Sequence, residues 1–253
     1  MKKLSISMVV VALVVGNLNA GGKLVEIPKV PPKQIVVDEW SGPYIGLQAG
    51  YITGKAKVDI SESYVTIGTL THVTTPTTVT QEYDTLTLEP DGFIGGLFFG
   101  YNKKFENNFL LGIEGALNYT NIKDTEKITQ DDVDMEREFT LKQQNEAALY
   151  LRAGYVMDDT FMPYLLGGVT WTKLKGGLKL GSQTLWDSDT VTGWTLGAGV
   201  EYKINRNWHA RVQYRYSRYK EAKFKWQDGT EEYNGKTDKY KTHSIMFGVS
   251  YNF

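Results

Sequence analysis

The chain has 253 residues, a formal net charge of −1 at pH 7 and no cysteine. A net charge this close to zero gives no basis for bulk attraction to nucleic acid, and the lack of cysteine excludes disulfides, thiolate metal sites and a cysteine nucleophile. With 26 glycines, 13% aromatic residues and a mean hydropathy of −0.34, the composition indicates a β-rich protein and excludes a bundle of transmembrane helices.

Residues 1–20 have the pattern of a secretory signal peptide. Two lysines precede an apolar run over residues 6–15, and a Leu-Asn-Ala sequence ends at Ala20, so cleavage is predicted after Ala20. The run is shorter than the roughly 20 apolar residues that a transmembrane helix needs. Residues 21–39 contain three prolines, and we expect them to form an extended periplasmic linker before a barrel domain over 40–253.

From Trp40 onward, eight segments alternate apolar and polar residues, which is the period of a β-strand with one apolar face. Three-residue gaps reading ENN, DDT and NRN alternate with four long gaps, and Asn and Asp suit tight turns because they tolerate left-handed backbone. This order predicts an all-β fold, an eight-stranded antiparallel up-and-down transmembrane β-barrel. The predicted strands are 43–54, 91–105, 109–121, 145–157, 161–174, 190–204, 208–220 and 242–253, and the long gaps are 55–90, 122–144, 175–189 and 221–241.

Each short gap is flanked by two large apolar residues. A three-residue loop places directly paired residues on the same face of a hairpin, so these side chains mark one apolar face on six strands. The pairs are Phe105 with Phe109, Met157 with Phe161, and Ile204 with Trp208.

The apolar face carries aromatic residues at both ends of five strands, eight or ten residues apart. Tilted strands climb about 2.5 Å per residue, so the aromatics are about 20–25 Å apart, the height of the apolar band of an outer-membrane barrel. A soluble β-sandwich or lipocalin-like barrel is the alternative, but its core would not require two aromatic belts at fixed heights. The predicted girdle residues are Phe93, Tyr101, Phe109, Tyr119, Phe161, Trp171, Trp194, Tyr202, Trp208, Tyr216 and Phe253.

The opposite face carries charges at mid-strand, and eight strands leave an interior that side chains just fill. Buried charges must be paired, so we expect a polar network in the lumen. The register predicts ion pairs of Glu201 with Arg211 and of Glu114 with Arg152. Either the network is structural and blocks flow, or its charges line a narrow path for solutes or ions. The predicted network residues are Glu114, Glu146, Arg152, Glu201, Arg211 and Arg215.

No arrangement in the sequence predicts catalysis, and no catalytic, cofactor-binding or metal-binding residue is assigned. The three histidines are His72, His209 and His243, and none shares an evident site with a serine and an acid. Ser244 follows His243, but adjacent strand residues point to opposite faces. The acidic DDVD segment (131–134) is interpreted as part of a solvated loop, and the threonine-rich first long gap is expected to extend as a ribbon beyond the membrane.

Three stretches carry a family resemblance: WSGPYIGLQAGY (40–51), GFIGGLFFGYN (92–102) and the terminal GVSYNF (248–253). They resemble the small eight-stranded outer-membrane barrels of Gram-negative bacteria, which include the OmpA transmembrane domain, OmpX and the opacity proteins. The resemblance implies insertion by the barrel assembly machinery, with Tyr251 and Phe253 as the assembly signal in the last strand. It also implies roles in envelope integrity, adhesion or surface interaction, and no catalysis.

The sequence therefore favours a non-enzymatic structural or surface-interaction protein of the outer membrane, with a periplasmic N-terminus and extracellular long loops. A narrow passive channel and, less favoured, a lipid-modifying enzyme are the alternatives. The expected partners are outer-membrane lipid and lipopolysaccharide, the barrel assembly machinery and a host or envelope partner at the long loops. No nucleic acid and no cofactor are expected.

Overall fold

A computed structural model describes residues 39–70, 73–82, 85–128, 137–180, 183–228 and 231–253. The predicted signal peptide, the linker up to residue 38, His72 and the DDVD segment lie outside the described residues, so those predictions stay open. Within the described ranges, no helix is long and apolar enough to cross a membrane.

The described residues form twelve strands, and all named strand pairs are antiparallel. The alternation of apolar and polar residues explains the strands, because it gives each strand one buried and one exposed face. In chain order the strands are β1 (Gly42–Leu70), β2 (Val73–Glu82), β3 (Leu86–Leu88), β4 (Asp91–Lys104), β5 (Phe109–Thr120), β6 (Ile122–Ile128), β7 (Arg137–Tyr155), β8 (Phe161–Leu180), β9 (Gln183–Lys203), β10 (Trp208–Tyr219), β11 (Ala222–Asp228) and β12 (Glu231–Asn252).

Eight of these strands form a closed ring. Strands β1, β4, β5, β7, β8, β9, β10 and β12 are hydrogen-bonded neighbours in that order, and β12 pairs with β1 from Tyr44 opposite Asn252 onward. Closure leaves the ring without a free sheet edge. The predicted eight-stranded antiparallel barrel is thus confirmed, with the C-terminal strand as the closing seam.

The long gaps were predicted as loops, and this part of the prediction is wrong for most of their length. Strand β1 continues sixteen residues past the predicted end at Gly54, as far as Leu70, and pairs there with β2, as the predicted ribbon requires. Strands β8 and β9 stay paired as far as Leu180 and Gln183. The extension is stable because inward residues such as Ala56 and Val58 remain apolar and become buried. We call this end of the ring the long-hairpin end and the other the short-turn end.

The three short turns form as their flanking residues predict. The backbone N–H groups of Phe105, Met157 and Ile204 donate to the carbonyls of Phe109, Phe161 and Trp208 at 2.7, 2.7 and 2.9 Å. Two of the three turns contain left-handed backbone, at Asn or Asp residues, which tolerate it best. In these turns the residues with positive φ are Asn108 at 63°, Asp158 at 49° and Asp159 at 51°.

The two ends of the barrel have interiors of different character. In the half next to the short turns, outward side chains are apolar and exposed, such as Leu47 and Leu165 at 65% each, while the interior combines charged and amide side chains with apolar ones such as Phe98 and Leu166. Beyond this band the interior becomes apolar, and we call its residues the hairpin core. Its members are Ala56, Val58, Ile60, Leu88, Phe139, Leu141, Leu174, Leu178, Val191, Tyr219, Ala222, Phe224, Trp226, Tyr233 and Tyr240.

Candidate functional site

Two buried arginines and two buried acids meet at the centre of the lumen. Arg211 donates to both carboxylate oxygens of Glu114, at 2.6 and 3.1 Å, in a bidentate pair. Arg152 donates to Glu201 at 2.6 Å and lies 3.3 Å from Glu114, where the sequence predicted an ion pair. All four side chains are at most 5% exposed. Each arginine therefore has an acidic partner in a region closed to solvent.

The predicted ion pair of Glu201 with Arg211 is wrong, although the register behind it is right. Arg211 lies directly opposite Glu201 on neighbouring strands. Its guanidinium instead reaches Glu114 and also donates to Gln48 at 2.7 Å. Register fixes which residues are neighbours along the sheet, whereas long side chains in a narrow barrel meet across the lumen. The nearest opposite charge for Arg211 is therefore on β5.

Tyr44 and His209 complete the central cluster. The Tyr44 hydroxyl donates to Glu114 at 2.8 Å and accepts from Arg152 at 2.9 Å. His209 Nδ1 lies 2.9 Å from Glu201 Oε1. The sequence prediction did not include Tyr44, but Tyr44 has the same strand parity as the inward Gln48, and this signal was enough to find it.

A second cluster surrounds Glu146 nearer the long-hairpin end. Arg215 Nη1 lies 3.5 Å from Glu146 Oε1 and donates to the Tyr150 hydroxyl at 3.2 Å. Asn118 donates to Glu146 at 2.9 Å and accepts from Gln48 at 2.7 Å, which joins this cluster to the first. All six predicted network residues therefore lie in two connected groups, which we call the lumen network.

Bulky side chains bound the lumen network at both ends. At the short-turn end, Trp40 is 1% exposed and its ring centroid lies 4.5 Å from that of His209. At the other end the hairpin core begins near Tyr240, whose hydroxyl donates to Gln143 at 2.6 Å. Burial raises the pKa of the Tyr240 hydroxyl far above its usual value, so the group stays protonated and remains a donor.

Outward aromatic side chains lie at both heights that the sequence assigned to girdles. Near the short turns their rings make edge contacts between neighbouring strands, such as Phe109 with Tyr155 at 5.4 Å and Trp208 with Tyr251 at 5.4 Å. The ring centroids of Phe253 and Tyr251 are 5.1 Å apart. Of the eleven predicted girdle residues, Tyr216 is half-buried and the other ten are at least 40% exposed. The exposed ten are Phe93, Tyr101, Phe109, Tyr119, Phe161, Trp171, Trp194, Tyr202, Trp208 and Phe253.

The structure does not bring His209 or His243 into a catalytic arrangement with Ser244. His243 faces outward, where its Nδ1 lies 2.6 Å from the Tyr214 hydroxyl, whereas Ser244 faces inward and accepts from Arg215 at 3.3 Å. His209 is buried under Trp40. Among the residues that the structure describes, no group of three or more potential metal ligands is close enough to hold an ion.

Known proteins are similar to this chain in sequence. The family model for the outer membrane protein beta-barrel domain matches residues 30–253. The 31 kDa outer-membrane immunogenic protein of Brucella melitensis is 31% identical over 182 residues, covering 70% of each chain. The 25 kDa outer-membrane immunogenic protein of Brucella canis is 29% identical over 236 residues, covering 92% of this chain and 90% of the relative.

Among solved structures, the outer membrane protein OprG from Pseudomonas aeruginosa aligns with a TM-score of 0.48 and 19% identity, over 84% of this chain and 97% of OprG. The family match and the Brucella relatives agree with the resemblance that the sequence motifs carried. The chain belongs to the outer membrane protein beta-barrel domain family, and it is an outer-membrane β-barrel protein of the Gram-negative type.

Proposed function

We propose that this protein is a non-enzymatic structural and surface-interaction component of the outer membrane, with a closed lumen. The observation that supports this most directly is the filled interior. Paired charges occupy the centre of the lumen, Trp40 lies beneath them, and the hairpin core fills the interior above. The barrel then acts as a membrane anchor for the paired hairpins that extend from it.

The buried ion pairs argue against the alternative of a passive channel. A solute crossing the lumen would have to separate Arg152 and Arg211 from their acids at distances as short as 2.6 Å. Separating a buried pair costs about 3–5 kcal/mol for each partner removed. An ion would next meet the largely apolar hairpin core, which offers little to replace its hydration.

The proposed orientation follows from the lengths of the connections. Barrels of this class have short periplasmic turns and longer extracellular segments, so the short-turn end and both termini would face the periplasm. The long hairpins would then be the surface that a host or envelope partner meets, with outer-membrane lipid and lipopolysaccharide around the barrel. The relatives named as immunogenic fit a protein with exposed segments. Tyr251 and Phe253 would serve the barrel assembly machinery in β12.

Planar-bilayer recording on the refolded full-length protein tests the closed lumen. Insertion is first verified by a heat-dependent shift on a gel, and we then expect no steady openings above the bare-membrane baseline. Steady openings that disappear in Arg152→Ala or Arg211→Ala variants would establish the channel instead. Protease treatment of intact cells tests the orientation, and cleavage within the long hairpins is the expected result.

A further inference from the structure

Two adjoining depressions mark the outer surface where β7 and β8 emerge from the apolar band. The one farther from the band has a volume of about 440 Å³, and we call it the lysine cavity. The one within the band has a volume of about 400 Å³, and we call it the apolar groove. Lys173 lines both. We propose that together they bind one phosphate-bearing acyl lipid of the membrane, with its head group in the cavity and an acyl chain in the groove.

The lysine cavity concentrates positive charge with little compensation. Lys142, Lys173 and Lys175 line it, and Asp187 is the acid beside them. Lys142 lies directly opposite Lys175 on β8 and opposite Lys123 on β6. Like charges directly opposite each other destabilise a sheet. An anion bound between these lysines would offset their repulsion. An aspartate or glutamate at one of the three positions would have the same effect.

Two other lysines of the barrel surface have acidic partners, which the three lysines of this cavity lack among the described residues. Lys179, also on β8, lies 3.4 Å from Glu138, and Lys55 lies 2.7 Å from Glu89. Within the described part of the chain, Lys142, Lys173 and Lys175 have no carboxylate at ion-pairing distance. The Lys142 ammonium lies instead 4.3 Å above the ring of Trp186. That cation–π contact holds the ammonium at the cavity and leaves its charge available to an anion.

The apolar groove lies at the height of the aromatic residues of the long-hairpin end. Its outward lining includes Leu117, Tyr119 and Trp171, with the small Ala147 between the larger side chains. Lys173 is two residues beyond Trp171, so its charge lies about 5 Å farther from the band. This spacing fits a lipid whose chain contacts Trp171 and whose phosphate is at head-group depth.

A β-bulge in β7 lies at the boundary between the two depressions. The register of β7 with β8 shifts between Gln143 and Glu146, so that Gln144 and Asn145 together oppose Lys173. Gln144 lines the lysine cavity and Asn145 lines the apolar groove. Bulges increase local twist and redirect side chains, and they are common beside binding sites. The site is therefore a local feature of β7 and β8 and not a general property of the barrel surface.

Native mass spectrometry of the full-length protein in non-ionic detergent tests the proposal. The probes are phosphatidic acid, phosphatidylcholine with the same acyl chains, and inorganic phosphate. We expect one tightly bound phosphatidic acid, weaker binding of phosphatidylcholine, and no competition by equimolar inorganic phosphate. The triple variant Lys142→Gln, Lys173→Gln, Lys175→Gln should bind phosphatidic acid about tenfold more weakly, which corresponds to about 0.5 kcal/mol for each of three exposed ionic contacts.

The matched control removes three positive charges elsewhere beyond the band: Arg218→Gln, Lys220→Gln, Lys241→Gln. Arg218 and Lys241 are also directly opposed like charges, two residues beyond Tyr216 and His243. This control should retain the affinity for phosphatidic acid. The single substitution Trp171→Ala should weaken the binding of both lipids, because it removes an acyl-chain contact in the apolar groove. Equal losses in both triple variants, or no loss in the first, would overturn the site. Equal affinity for inorganic phosphate would overturn the lipid assignment. If the first triple variant fails to fold, Lys173→Gln carries the same comparison.

Discussion

At the scale of single residues, Glu114 is the acid on which the lumen network depends most. It accepts from Arg211 at 2.6 and 3.1 Å and from Tyr44 at 2.8 Å, and it lies 3.3 Å from Arg152. Buried ion pairs contribute little net stability relative to an apolar core, but loss of one partner is costly because it leaves a buried charge uncompensated. Substitution of one network residue therefore costs more free energy of unfolding than the intact network contributes.

Glu114→Gln should lower the free energy of unfolding by about 3 kcal/mol or more, because two buried arginines are left with Glu201 alone between them. The measurement is the urea midpoint of the refolded protein, read from the heat-dependent gel shift. Glu138→Gln is the matched control, since the pair of Glu138 with Lys179 is partly exposed and should be worth less than about 1 kcal/mol. Similar losses in the two variants would mean that water reaches the lumen network.

At the scale of elements, the short turns reach the same closure by two routes. The turns before Phe109 and Phe161 use positive φ at Asn108, Asp158 and Asp159. The third turn has no such residue, and Asn205 Oδ1 accepts instead from the backbone N–H groups of Asn207 at 3.0 Å and Trp208 at 2.9 Å. The first turn combines left-handed backbone at Asn108 with a side-chain acceptor, since Asn107 Oδ1 accepts from the Phe109 N–H at 3.3 Å, whereas the third turn uses the side-chain acceptor without left-handed backbone.

Asn205→Ala should therefore destabilise the barrel by about 1 kcal/mol, since two backbone donors lose their side-chain acceptor. Asn205→Asp keeps an acceptor at the same position and should remain close to the wild-type stability. Urea midpoints of both variants give the comparison. If the aspartate variant were as unstable as the alanine variant, the turn would depend on the amide group and not on its oxygen.

The strands also show how far sequence reasoning reaches in this fold. Alternation and the apolar pairs at the short turns predicted the ring and the register, because both depend on neighbours along one hairpin. The long gaps were assigned to loops because strand extensions with apolar inward residues, such as Ala56 and Val58, contain lysines on the outward face and no longer match the membrane pattern. The partner of Arg211 was missed because contacts across the lumen depend on side-chain reach, which register does not contain.

At the scale of the whole molecule, two cores of different character lie along one continuous ring, a network of buried charges at the short-turn end and the hairpin core at the other. Around the lumen network the exterior of the ring is apolar, as contact with a membrane requires. Around the hairpin core the exterior carries charges, including Lys57, Lys123 and Lys175. The reversal occurs at the level of the bulge in β7, where Gln143 and Glu146 both face inward. The strands are shared, but the interactions that stabilise each half are different.

The two cores should therefore fail separately. Phe139 is fully buried in the hairpin core, 5.8 Å from Trp226 and 6.3 Å from Phe224. Phe139→Asp would bury an unpaired carboxylate among these rings at a cost of several kcal/mol, and the hairpins should open. In reconstituted membranes, we expect rapid protease cleavage at the long-hairpin end while the heat-dependent gel shift of the ring is retained, because the lumen network is untouched.

The neighbouring Thr140 supplies the matched control, since it faces outward and shares a hydrogen bond of 2.9 Å with Thr125. Thr140→Asp adds the same charge to the same strand at the same height, but to the solvated face, and it should leave the hairpins as resistant to protease as in the wild type. If Phe139→Asp abolished the gel shift as well, the hairpin core would be required for closure of the ring. The ring and its long hairpins would then unfold together as one cooperative unit.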